Sequence, residues 1–182
     1  MMFKRLPLND AFLIEPSVYK DERGYFFETF NLKKFCEGVG ENISFIQDNE
    51  SKSNAGVLRG LHFQRGDAAQ AKLVKVIQGS VLDVIVDLRE ESASFGQYIA
   101  IELTGENKLQ LFVPRGFAHG FLVLEDNTIF SYKVDNDYDP ESEVTMAYND
   151  ADLNIKWMVL EKGYILSEKD KKGLSFKDVE YF

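Results

Sequence analysis

The chain contains only two histidines, and each sits in a dense short run: Gly56-Val57-Leu58-Arg59-Gly60-Leu61-His62-Phe63-Gln64 and Pro114-Arg115-Gly116-Phe117-Ala118-His119-Gly120-Phe121. Histidine is the side chain whose unperturbed pKa lies closest to neutrality, so it suits proton transfer. The ordinary alternative for either one is a hydrogen-bonded core residue on an apolar strand. Two in such settings weaken that alternative. Three other groups each have a purely structural reading. Ser167-Glu168-Lys169-Asp170 reads as a capping box in which Asp170 satisfies a backbone donor at a helix start. Tyr132 shares its strand face with Thr128, Phe130 and Val134, as a core tyrosine with a paired hydroxyl would. Lys72 reads as a snorkelling lysine at a strand end.

The elements that must position these groups are short strands. From residue 72 to 134 the pattern alternates with period two, as in Leu82-Val84-Val86-Leu88 against Asp83 and Asp87, which predicts half-buried strands. Turn signals fall at Gln78-Gly79, Gly105-Glu106-Asn107, Pro114-Arg115-Gly116 and Asp126-Asn127. Helix is limited to about two turns after Asn31, ending at Gly38 or Gly40, and a short turn starting at Ser167. The fold class this predicts is all-β, an antiparallel jelly-roll or cupin β-barrel with short peripheral helices. Strict alternation would set Arg59 and His62 on opposite faces of one strand. Either the Gly60 position is bulged, or Arg59 acts from the strand end.

The length of 182 residues, with four prolines and no low-complexity tract, predicts one domain spanning 1–182. A single cysteine, Cys36, excludes an intrachain disulfide, and the first residues lack the apolar stretch of a signal peptide, so the expected location is cytoplasmic. No apolar run approaches the roughly 20 residues of a membrane helix. The formal charge of -9 argues against a nucleic-acid partner. A small anionic ligand would need a local basic cluster to outweigh that field.

Beyond the two histidine runs, Asp21-Glu22-Arg23-Gly24-Tyr25-Phe26-Phe27-Glu28, Gln47-Asp48-Asn49, Gln70-Ala71-Lys72-Leu73-Val74, Tyr132-Lys133, Tyr138, Glu143, Asp152-Leu153-Asn154-Ile155 and Ser167-Glu168-Lys169-Asp170 occur in this order. Together they resemble the dTDP-4-dehydrorhamnose 3,5-epimerase family over nearly the whole length. The resemblance implies removal of a proton beside the C4 ketone of a dTDP-4-keto-6-deoxy-hexose and its return to the opposite face. It makes His62 the base, Asp170 the carboxylate that pairs with it, Tyr132 the acid on the other face, and Lys72 the cation near the C4 oxygen. It assigns Arg23 and Arg59 to the nucleotide diphosphate, whose oxygens suit arginine's planar fork. Glu28, Gln47, Asn49, His119, Tyr138, Glu143 and Lys169 match other substrate contacts, with Tyr138 stacking on the thymine ring. The resemblance implies a homodimer that needs no cofactor and no metal.

Other readings of the same fold remain open here. A metal-dependent cupin would start its ligand set with His-x-His, whereas Phe63-Gln64 follows His62. A lectin-type jelly roll would need no acid and base on opposite faces. A relative that epimerises only C3 or only C5 is not separated by sequence. Arg65-Gly66-Asp67-Ala68, Trp157-Met158 and Ala147-Tyr148 depart from the family pattern, and the first lies beside the His62 strand, where it bears on which sugar is accepted.

Overall fold

The computed structural model describes residues 1–161 and 163–182. Among them the strands run, in chain order, β1 (Met2–Arg5), β2 (Phe12–Glu15), β3 (Tyr19–Asp21), β4 (Gly24–Phe26), β5 (Gln47–Ser53), β6 (Leu58–Gln64), β7 (Lys72–Gln78), β8 (Ser80–Asp87), β9 (Tyr98–Thr104), β10 (Gln110–Val113), β11 (Phe117–Val123), β12 (Thr128–Val134) and β13 (Glu143–Thr145). Each turn expected from sequence between residues 78 and 127 joins two consecutive strands. The one α-helix among the described residues, α1 (Leu32–Val39), starts where Asn31 accepts a hydrogen bond from the Lys34 backbone. It ends where Gly40, at φ +82°, donates its backbone N–H to the Cys36 carbonyl. The turn after Ser167 is a single 3-10 turn, Asp170–Lys172.

Two antiparallel sheets face one another. The six-stranded sheet has the order β1-β2-β10-β7-β12-β5, and the five-stranded sheet the order β13-β6-β11-β8-β9. The hairpin β3-β4 stands apart as a two-stranded ribbon. Val74, Val76, Leu111, Val113 and Phe130 from the larger sheet meet Val81, Ile85, Phe117, Phe121 and Val123 from the smaller one in the central core. Outside the larger sheet, Phe12, Ile14, Leu73 and Phe112 receive Phe35 and Val39 of α1. Outside the smaller sheet, Leu58, Leu61, Val84, Val86, Leu88 and Ala118 lie under Trp157 and Val179 of the C-terminal chain. Removing such apolar area from water supplies the main drive for stacking these layers.

The alternation in β8 has a different meaning from the one its pattern predicts. The strand is buried on both faces except at Leu82, which is partly buried. Its apolar set Val84, Val86 and Leu88 packs outward beneath the C-terminal segment, while Asp83 and Asp87 belong to the set that includes the core residues Val81 and Ile85. Both aspartates have no solvent exposure. Period two separates faces, but which face meets water is decided by what covers the sheet. Asp87 is satisfied by Arg89, Ser92 and Ser94; the partner of Asp83 lies in the candidate site.

A bulge answers the parity question on β6. Along the β11 ladder His119 pairs with His62 and Phe121 with Arg59, so two steps on β11 match three on β6. The extra residue brings Arg59 and His62 to the same side. Gly60, at φ +123°, makes room for it. A Cβ on Gly60 would lie 2.5 Å from the Gly120 Cα, and one on Gly120 would lie 2.7 Å from the Arg59 carbonyl oxygen. Gly60→Ala therefore meets both a forbidden backbone region and a backbone clash. It is expected to lower unfolding stability by at least about 2 kcal/mol in denaturant titration. Gly66→Ala, at φ +55° with open space around it, should lower it by only about 1 kcal/mol.

Candidate active site

Between the sheets lies a cavity of about 250 Å³. β5 contributes Asn49, Glu50 and Ser51; β6 Arg59 and His62; β7 Lys72; β11 His119 and Phe121; β12 Phe130 and Tyr132. His62 and Tyr132 thus reach one cavity from opposite sheets. Phe121 and Phe130, stacked at 4.1 Å between ring centroids, are its apolar members.

His62 Nε2 lies 2.6 Å from Asp170 Oδ1. The carboxylate accepts, so Nε2 carries the proton and Nδ1 keeps the lone pair that a base needs. Asp170 is nearly buried, and its second oxygen accepts from the Ser167 hydroxyl at 2.7 Å. The Ser167 oxygen in turn accepts from the Asp170 backbone N–H at 3.1 Å. The expected cap is therefore present, but Ser167 makes it, and the Asp170 carboxylate is left to hold the imidazole.

Burial pushes the His62 pKa below its ordinary value, against the opposing pull of Asp170 and with the help of the Lys169 and Lys72 charges. The ring is neutral at physiological pH, as a base must be. Burial alone would raise Asp170, but hydrogen bonds from His62 and Ser167 outweigh it and bring the group from 3.8 to about 2.

Burial brings the Lys72 ammonium down to about 8, while the carboxylates of Asp83 and Glu143 work to keep it charged. Among the described residues no side chain forms an ion pair with it within 4.0 Å. Tyr132 is partly buried, and burial raises its phenol pKa against the pull of Arg59. Its ring lies beside Phe130, with centroids 6.2 Å apart. It belongs to the cavity wall as well as to the rim of the core. Arg59 donates to Ser53 Oγ at 3.2 Å, which ties β6 to β5 across the two sheets.

Glu143, opposite Gln64 on β6, accepts from the Tyr138 hydroxyl at 2.9 Å and pairs with Lys169 at 2.6 Å. This cluster borders His62: Thr145, two residues on in β13, pairs with His62 itself. Gln47 donates to Asn49 Oδ1 at 2.8 Å. Arg23 and Glu28 are not brought to the cavity within this chain. Arg23 lies on the turn of the separate hairpin, paired with Asp21 and 85% exposed, and Glu28 bonds Lys34 and Asn31 at the start of α1. The basic cluster expected from Arg23 with Arg59 is therefore formed in one chain by Arg59 and Lys72 instead.

Sequence reasoning missed Asp83, whose two oxygens lie 3.0 and 2.9 Å from His119 Nε2. The available signal was a carboxylate in a strand between Leu82 and Val84, which the alternation rule assigned to solvent. Phe121, Phe130, Ser51 and Ser53 also went unassigned.

Two facing antiparallel sheets around a polar cavity, with strand order and connections of this kind, define a cupin-like β-fold. The family model for dTDP-4-dehydrorhamnose 3,5-epimerase matches residues 5–178. A dTDP-4-dehydrorhamnose 3,5-epimerase of Shigella flexneri is 48% identical over 173 residues, covering 95% of this chain and 94% of its own. The crystal structure of the enzyme of that name from Elizabethkingia anophelis has a TM-score of 0.95 at 55% identity, covering 100% of this chain and 99% of its own. A Legionella pneumophila dTDP-6-deoxy-D-glucose-3,5-epimerase, solved in complex with dTDP-4-keto-L-rhamnose, has a TM-score of 0.94 at 43% identity, covering 98% of this chain and 94% of its own. The chain belongs to the dTDP-4-dehydrorhamnose 3,5-epimerase family.

The pH dependence of stability follows from Asp170. Its folded pKa lies below its unfolded value, so its contribution is complete above about pH 5 and is lost as pH falls toward about pH 2. Over that interval wild type is expected to lose about 2 kcal/mol more than Asp170→Asn, read from chemical denaturation at each pH.

Proposed function

We propose that the chain inverts C3 and C5 of dTDP-4-keto-6-deoxyglucose by acid/base proton transfer, the epimerisation that leads to dTDP-L-rhamnose. The observation that carries this reading is the placement of His62 and Tyr132 on opposite sheets across one cavity. A sugar ring between them has one face toward a base and the other toward a phenol. Nδ1 of His62 takes the proton from the carbon beside the ketone, and the electron pair moves to the C4 oxygen as an enolate. Lys72 stabilises that oxygen with its ammonium. Tyr132, kept protonated by its raised pKa, donates to the opposite face, and solvent restores both groups. Asp170 stabilises the imidazolium formed in the first step. Metal chemistry has no part in this scheme; Lys72 supplies the positive charge.

Around the reacting atoms, Asn49, Gln47, Arg59 and His119 contact substrate, and Glu143, Lys169 and Tyr138 form the wall beside the nucleotide, with Tyr138 stacking on the base. Tyr138 is 54% exposed, as a stacking platform for an incoming ring must be. Residues 1–182 act as a single domain, because the three cores share the same two sheets. No helix among the described residues is long and apolar enough to cross a membrane, and a nucleotide-sugar substrate points to the cytoplasm.

The active unit in this reading is a homodimer. The β3-β4 hairpin exposes Tyr19, Tyr25 and Phe26 at 68%, 57% and 72%, an apolar surface suited to a second copy. Arg23 and Glu28, which do not reach the cavity of their own chain, then serve the cavity of the partner. Sedimentation equilibrium is expected to give a dimer at assay concentration; a stable, active monomer overturns this part of the reading.

Proton exchange tests the chemistry. In D₂O, wild type should replace the C3 and C5 protons while forming the L-configured product, both followed by NMR. A lectin gives neither signal, and a monoepimerase exchanges one position alone. His62→Asn should slow exchange by about 10² to 10⁴. Tyr132→Phe leaves base and cation in place, so it should exchange without inverting. Product formed by this variant at the wild-type rate would make Tyr132 a wall residue only.

A further inference from the structure

Asp83 is the buried titratable group that the scheme above leaves without a task. It sits on β8, between β11 and β9 in the five-stranded sheet, has no solvent exposure, and its carboxyl makes hydrogen bonds only to His119 among the described residues. Both of its oxygens lie at nearly equal distances from one ring nitrogen, 3.0 and 2.9 Å. Burial pushes the Asp83 carboxyl above its ordinary range, and His119 and the Lys72 charge pull it back toward the ionised form. An ionised carboxylate at zero exposure is expensive to hold unless a positive charge compensates it. His119, the group it orients, and Lys72, a cation without an ion-pair partner among the described residues, both line the cavity.

We propose that Asp83 is a positioning residue of the epimerisation, the buried counter-charge that acts through His119 and Lys72 where the enolate oxygen forms. It touches no reacting atom. Acceptance of the Nε2 proton fixes the His119 tautomer and ring orientation, which the stacked arrangement of His119 on Phe130, 22° from parallel, also supports. The same carboxylate holds Lys72 in its charged form. Burial is the largest influence lowering Lys72, and Asp83 is the larger of the two carboxylates opposing it, ahead of Glu143. Lys169 opposes them, and the Lys72 charge itself helps keep His62 neutral. Arg59, Tyr132, His119 and Glu50 complete the titratable or charged groups in the same cavity.

The inference rests on the acid/base reading above, and its test separates the two. Asp83→Asn keeps the size and an oxygen acceptor for His119 while removing the charge. The alkaline limb of kcat/KM, which reports Lys72 in the free enzyme, should move to lower pH by about one unit or more, the effect of losing a nearby opposite charge. The acid limb, set by His62, should stay in place. The deficit against wild type should then be small near neutrality and grow to about tenfold above the limb. A residue with only a structural role would depress the rate by the same factor at every pH.

An activity-independent measurement is the titration of Lys72 by NMR of protein labelled at the lysine Cε, assigned with Lys72→Arg; its midpoint should fall in Asp83→Asn by the same interval. Asp83→Glu, which retains the charge, should keep the alkaline limb near wild type even where its rate falls. If Asp83→Asn does not fold, Asp83→Ser, with room for a water, removes the same charge and is read in the same way. An unmoved limb and unmoved Lys72 midpoint in a folded charge-removing variant overturn the inference and leave the acid/base reading standing. Wild type that neither exchanges nor inverts the ketosugar overturns that reading instead.

Discussion

Gly60 and Gly120 pass one another with no space for a Cβ on either, and the layout of the cavity depends on that contact. Because β6 carries one residue more than β11 at this point, the guanidinium of Arg59 and the imidazole of His62 emerge on the same side of the sheet. A regular ladder would have turned one of them into the layer under Trp157 and Val179. The backbone N–H of Gly60 also reaches Asp170 Oδ1, at 3.4 Å. The bulge and the carboxylate behind His62 are thus parts of one local structure, which explains why a residue more than a hundred positions downstream in sequence can orient the base.

The charge distribution of the cavity runs against that of the whole chain. With a formal charge of -9 the surface is acidic, yet Arg59, Lys72 and two histidines converge between the sheets. Carboxylates stand behind these groups: Asp170 behind His62, Asp83 behind His119, Glu143 beside Lys169. Buried charges of one sign without such partners would neutralise by shifting their pKa values. Burial keeps His62 neutral against the pull of Asp170, and the charges of Asp83 and Glu143 oppose the burial that lowers Lys72, so that His62 is neutral and Lys72 charged at physiological pH.

The two sheets divide the work. The five-stranded sheet carries the base and both histidine-carboxylate pairs, except that Asp170 arrives from the C-terminal turn. The six-stranded sheet carries the phenol on β12 and the ammonium on β7, neighbouring strands whose register sets Tyr132 against Val74. A reaction that needs proton removal from one face and delivery to the other is served by a fold whose two facing sheets each present one of these groups to a single cavity.

Much of this was legible in the residues alone. Period-two alternation with turn residues at Gly79, Gly105, Gly116 and Asn127 specifies strands because side chains of a strand alternate faces and only certain residues turn the chain. Asn31 and Gly40 bound α1 by the same local chemistry. The family motifs singled out His62, Lys72, Tyr132 and Arg59, which do meet in one cavity. What sequence could not supply was which face of a sheet is covered, since that depends on distant segments. Asp83 and Asp87 have the pattern of a wet face and are sealed, because β8 lies between β11 and β9 and the C-terminal chain takes the apolar side. Nor could it choose between cap and carboxylate for Asp170: the Ser167–Asp170 spacing satisfies both, and only the approach of β6 gives the carboxylate its second partner. Local periodicity and turn chemistry are properties of neighbouring residues, whereas burial, charge pairing and strand register across a bulge arise from segments that meet only when the sheets close.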